Sequence, residues 1–195
     1  MRVPSCDPAQ STFRASDTQG TRYAALLDFV AQQAAWWACV LLVRHGFSAS
    51  AALPSLLVAA GAVWTRGRPA LLLGALAAAI GFALDTALIQ LGSVSFPSRL
   101  GAHVTTAWMV GLWAALGTAF TGSLAWLQQR GVLLAAGLGG VAGLFAYRAG
   151  AALGVLNIDR SVSATLFIGA GWALAIAMLR VAALRACTAP NPERS

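Results

Sequence analysis

Lysine is missing: all thirteen basic residues are arginine, set against six acidic ones, and charged residues make up 10% of the 195-residue chain. A soluble domain carries about 25%, so this chain has too little charge to cover a soluble surface. Cysteine is scarce as well. Cys6, Cys39 and Cys187 lie far apart with no CxxC pair, which excludes a disulfide framework or a cysteine zinc site. The two histidines, His45 and His103, have no carboxylate or cysteine at ligand spacing, so no metal is expected. There is no GxxxxGK[ST], no HExxH and no GxSxG, since "GFSAS" lacks the last glycine; no cofactor is implied, ATP-driven or hydrolytic chemistry by a familiar motif is not expected, and nothing selects one serine for a Ser/His nucleophile pair. The net charge of +7 comes from arginines placed singly or in pairs at the edges of apolar runs. Nucleic-acid binding needs a contiguous basic face, and the pattern is that of membrane topology signals instead.

What the chain has is apolar length: 58% hydrophobic residues, in runs near the ~20 residues that cross a bilayer. Six helices are expected. They run from Ala24 to Val43, Phe47 to Trp64, Pro69 to Leu91, Val104 to Leu127, Val132 to Leu156 and Ser161 to Ala183. The fold class is therefore all-α, an integral membrane bundle of six transmembrane helices over residues 23–183. Residues 1–22 are polar, lack the apolar core of a signal peptide and read as a disordered cytoplasmic tail, with a second tail at 184–195. With six spans the tails share a side. That side collects Arg2, Arg14, Arg22, Arg66, Arg68, Arg130, Arg180, Arg185 and Arg194, nine in all, against Arg44, Arg99 and Arg160 opposite. The excess predicts both termini in the cytoplasm.

Ionisable groups inside a span are costly and seek partners. Asp85, in the third helix, and Arg148, in the fifth, should lie at similar depth, roughly 10 Å below the outer boundary at 1.5 Å per residue. Asp85 shares a face with the small residues Gly74, Ala78 and Gly81, which lets helices approach closely. In the fifth helix Gly140, Gly143, Gly150 and Gly154 surround Tyr147, and Arg148 stands one step round. The expectation is a buried Asp85–Arg148 ion pair, with Tyr147, His103, Thr105 and Thr106 completing a polar pocket. The competing expectation is that the pair sets only helix register, or that Arg148 snorkels to the surface alone. Asp28 and Gln32 form a second polar face on the first helix, read as packing glue. The tryptophans are read as packing inside the bundle (Trp36, Trp37, Trp108, Trp113, Trp172) or as interface anchors (Trp64, Trp126).

"GFALDTALIQLG" (Gly81 to Gly92) and "GLFAYRAGAALG" (Gly143 to Gly154) share their end glycines and a Leu-Gly close, as repeated hairpins would. These two blocks, with "QQAAWW" and "AWMVGLWAALGTAFTGSLAWLQQR", resemble a family of small bacterial inner-membrane proteins catalogued as a domain of unknown function. The chain departs from that pattern at Gly143-Leu144, where Gly-Pro is expected, and at Gln32-Gln33, where Phe-Gln is. The resemblance implies a multi-pass protein of the bacterial inner membrane and an association with genes that modify fatty acyl chains.

These readings lead to an accessory or transport protein for a lipid or other apolar small molecule. In that reading Arg148 holds an anionic headgroup and Asp85 holds Arg148. The alternatives are an intramembrane lipid-modifying enzyme, with Asp85, Tyr147 or His103 as acid or base, and a helix-packing scaffold with no ligand. The expected partners are membrane lipids, a small amphiphile, and a second copy or another membrane protein.

Overall fold

The computed structural model describes residues 8–97 and 103–188, with side-chain surroundings for residues 22–97 and 103–186. Arg2, Arg99, Arg194 and Cys6 lie outside the described residues, as do the side chains of Arg14 and Cys187. Six α-helices account for most of the chain: α1 (Pro8–Arg44), α2 (Leu53–Arg66), α3 (Arg68–Gln90), α4 (Ala107–Ala119), α5 (Val132–Ala152) and α6 (Val162–Thr188). A 3-10 turn (Ala125–Gln129) follows α4, and two short strands, β1 (Val94–Ser95) and β2 (Asn157–Ile158), pair antiparallel.

The helix order matches the sequence reading, while several ends move for local reasons. α1 continues back to Pro8, into the stretch read as a disordered tail, and α6 reaches Thr188. α2 starts at Leu53 rather than Phe47, because Pro54 fits the first turn of a helix, where its missing N–H costs nothing. α3 and α5 both stop at Leu-Gly. Gly92 and Gly154 adopt left-handed φ of 70° and 76°, and the next amides reach back, Ser93 to the Leu88 carbonyl and Val155 to that of Gly150. This is the glycine cap that closes many helices, so α5 ends four residues before the expected Leu156. α4 ends at Ala119, well short of Leu127. There the Thr121 hydroxyl bonds the Thr118 carbonyl, Gln128 bonds that of Phe120, and Asp28 of α1 takes the Ser123 amide at 2.8 Å.

Among the described residues four helices are long and apolar enough to cross a membrane: Arg22–Arg44, Arg68–Gln90, Val132–Ala152 and Val162–Ala186. α2 and α4, with 14 and 13 residues, reach only about 20 Å at 1.5 Å per residue, short of a hydrocarbon core of ~30 Å. Six full-length spans are thus not what the helices themselves supply.

α3 packs along α4, and α5 along α6, as two hairpins; α3 also packs on α6, α2 on α4, and α1 lies over α2 and α4. The β1–β2 pair ties the two hairpin turns together, helped by the Asp159 amide on the Ser93 carbonyl at 3.0 Å. Leucines such as Leu57, Leu71 and Leu133 point outward, as on a lipid-facing surface.

Candidate functional site

The buried polar centre forms where the two hairpins meet. Asp85, 2% exposed, sits one turn after Gly81 on α3. Its Oδ1 takes the Tyr147 hydroxyl from α5. Its Oδ2 takes the Trp113 indole N–H from α4 at 3.1 Å and the Thr105 hydroxyl at 3.4 Å. Three donors from three segments therefore converge on one carboxyl group, as burial of such a group in an apolar interior requires. Thr86 next to it steadies the start of α4, its hydroxyl accepting the Thr105 amide at 3.3 Å.

Glycine makes this geometry possible. A Cβ at Gly81 would fall inside the Trp113 indole, and one at Gly143 inside the indole of Trp172. Each tryptophan lies flat in the notch left by a glycine of the neighbouring helix. The two rings then meet, centroids 4.3 Å apart and planes 31° from parallel, with Tyr147 edge-on to Trp172 at 6.1 Å.

Of the expected pocket residues, the structure brings together Asp85, Tyr147 and Thr105. Thr106 is buried at the N-cap of α4, but its hydroxyl has no partner among the described residues. His103 is exposed and does not reach the group. Arg148 is exposed on α5 and makes no ion pair; among the described residues the only salt bridge joins Arg66 to Asp28. The expected Asp85–Arg148 pair is not formed, because one residue is about 100° of helix and that step turns Tyr147 inward and Arg148 outward. With α5 ending at Ala152, Arg148 lies only about 6 Å from the helix end, within reach of an interface by snorkelling.

On the second polar face, Asp28 and Gln32 both find partners across the bundle. Arg66 of α2 meets Asp28 at 2.7 Å, while Gln32 donates to the Ala115 carbonyl at 2.9 Å and to Thr118 at 3.5 Å. The ion pair lies against Gly122, where a Cβ would collide with both side chains.

Beside the polar centre runs a cavity of about 730 Å³ between α1, α4, α5 and α6, within the ~300–1,000 Å³ of small-molecule sites. Six tryptophans line it: Trp36, Trp37, Trp108, Trp113, Trp126 and Trp172. Tyr147 is part of the wall, whereas among the described residues Asp85, Arg148, His103 and every other charged side chain are absent from it. Among the described residues no cluster could hold a metal ion.

Sequence reasoning took Trp113 for packing and missed it as the donor to Asp85. Twenty-eight positions separate the two, and no local spacing links them. The repeat in the two blocks did contain a clue. Asp85 follows Gly81 by four residues and Tyr147 follows Gly143 by four, so the hydrogen-bonded pair occupies equivalent places in the two hairpins. Trp113 and Trp172 are equivalent in turn, each filling the other hairpin element's glycine notch. One contact breaks the match: α3 packs on α6, but its counterpart between α5 and α4 is opened, and the cavity occupies that gap.

Residues 25–178 match a family described as protein of unknown function, DUF2878. The chain belongs to that family. No curated protein and no solved structure matches it. The DUF2878 match runs from the apolar part of α1 into the second half of α6, so the polar centre and all the cavity walls fall within the family unit.

Proposed function

We propose that this DUF2878 protein is a multi-pass protein of the bacterial inner membrane that binds a lipid or other apolar small molecule, as an accessory or transport protein. The observation that carries the reading is the cavity: about 730 Å³, walled by apolar and aromatic side chains, and placed where two hairpins of a membrane bundle part. Repeated hairpins framing a site near mid-bundle are a recurring plan in membrane transport proteins. α2 and α4 complete six spans with the turns next to them, both tails lie in the cytoplasm, and the arginine excess on that side supports this orientation.

The enzyme alternative has less support. Asp85 has both oxygens engaged and stays behind Trp113 and Tyr147, so the group best suited to acid–base work does not face the cavity.

Lipid extraction and mass spectrometry of the purified protein test the reading. Wild type should carry an apolar or amphiphilic molecule in near-stoichiometric amount. A variant with Ala142→Leu and Ala146→Leu, which fills the cavity from α5, should lose it while remaining folded. Equal small-molecule content in the two proteins would refute binding in the cavity. A reporter fused to the C-terminus and active only in the periplasm would refute the orientation.

A further inference from the structure

We infer that the cavity takes a single-chain amphiphile with an uncharged, hydrogen-bonding head, and that the head sits at the end formed by Gln32, Gln33 and Ser123. The inference rests on the occupancy proposed above and names the class of molecule.

The cavity walls differ along their length. At one end, Val40, Met109, Gly150, Val155 and Leu156 supply no hydrogen-bonding side chain. Towards the other, where Asp28 of α1 holds the Ser123 amide, the half-buried Gln32, the exposed Gln33 and Ser123 border the cavity together with Trp126. Polar groups here have bonding capacity to spare. Among the described residues Gln33 makes no hydrogen bond, the Ser123 hydroxyl makes none although its amide is held by Asp28, and Gln32 uses only its amide nitrogen, leaving its oxygen open. The site therefore presents both donors and acceptors, which suits a hydroxyl, ester or amide head. From Phe29 to Val40 the cavity follows α1 for roughly 16 Å at 1.5 Å per residue, room for an extended alkyl chain.

Charge decides against an ionic head. Among the described residues no charged side chain lines the cavity. The nearest cation at the polar end, Arg66, is held by Asp28 at 2.7 Å and so offers no net charge. Arg148, the arginine that an anionic lipid would need, faces out of the helix between two residues that do line the wall, Tyr147 and Ala149. A carboxylate or phosphate drawn into these walls would give up its hydration for no counter-charge, and that penalty discriminates between ligands.

The tryptophans provide the test, because six of the seven line the cavity. Fluorescence of the full chain in maltoside micelles is titrated with a monoacylglycerol brominated along its chain. A second titration uses the matching brominated fatty acid, at a pH that keeps its carboxyl ionised. The monoacylglycerol should quench at a concentration about tenfold lower or better, equivalent to 1.4 kcal/mol or more. Gln33→Leu combined with Ser123→Ala should weaken quenching by the monoacylglycerol severalfold and leave the fatty acid's almost unchanged. Equal or stronger quenching by the fatty acid in wild type would overturn the uncharged head, and monoacylglycerol quenching undiminished by the double substitution would overturn its position. If neither probe quenches more in wild type than in the Ala142→Leu, Ala146→Leu protein, occupancy itself fails and this inference fails with it.

Discussion

Asp85 and Tyr147 occupy the same position in two related helices, four residues beyond Gly81 and Gly143, and hydrogen-bond to one another where the hairpins meet. A pattern repeated in the chain has thus become a contact between its copies, with one copy supplying the acceptor and the other the donor. Trp113 and Trp172 repeat the relationship as stacked rings. These four residues join the hairpins at their polar centre, beside the packing of α3 on α6 and the β1–β2 pair.

The glycines should therefore be unequal. Gly81→Ala and Gly143→Ala place a methyl group inside an indole, and overpacking of this kind costs typically about 1–3 kcal/mol. Gly137→Ala meets nothing within 4 Å and should gain about 0.5–1 kcal/mol from helix propensity. Thermal unfolding in detergent should lower the midpoint for the first two and raise it slightly for the third.

Removing the acceptor should cost more than removing a donor. Asp85→Ala leaves the Tyr147 hydroxyl, the Trp113 N–H and the Thr105 hydroxyl facing an apolar space, at about 1–3 kcal/mol for each group left without a partner. Tyr147→Phe removes one donor and leaves Trp113 and Thr105 on the carboxyl group, so its loss should be the smaller. Parallel melting curves compare the two, and the order Tyr147→Phe worse than Asp85→Ala would contradict this network.

Charge reversal across Asp85 and Arg148 should fail to rescue. The two side chains form no ion pair, and Arg148 is exposed, so Asp85→Arg with Arg148→Asp should be at least as unstable as Asp85→Arg alone. Arg148→Ala by itself should stay within about 0.5 kcal/mol of wild type, as substitutions at exposed positions usually do. Membrane expression levels of the four proteins read the outcome directly.

At the opposite end, Gly122 and Arg66 should behave as one unit. Arg66→Ala frees Asp28 from its 2.7 Å partner, a charged hydrogen bond worth about 1.5–3 kcal/mol, reduced here because both side chains are partly exposed. Gly122→Ala should break the same contact by collision. A double-mutant cycle should then show the pair of substitutions costing much less than the sum of the two.

The sequence told the number and order of the helices, because long apolar runs separated by arginine and glycine leave little choice. It also identified Asp85, Tyr147 and Thr105 as neighbours in a polar centre, through depth and the glycine faces. Arg148 was misplaced, since a side chain's direction changes by 100° with each residue and the glycine stripe beside it fixes the inward direction on Tyr147 instead. The shortness of α4 could not be seen either. Its end is set by Asp28 capturing the Ser123 amide across 95 positions of chain, a contact no local pattern carries. The cavity was likewise hidden, being a missing contact between two helices rather than a feature of either.

The short α2 matters for what surrounds the protein. It lies at the edge of the bundle with Leu53, Leu56 and Leu57 turned outward, and its 14 residues span about 21 Å. Lipid beside that helix meets an apolar wall thinner than its own acyl layer, whereas lipid beside α3 or α6 meets one of full height. Mismatch costs fractions of a kcal/mol per ångström, so a bilayer packed against this flank would be expected to thin there and to favour shorter acyl chains.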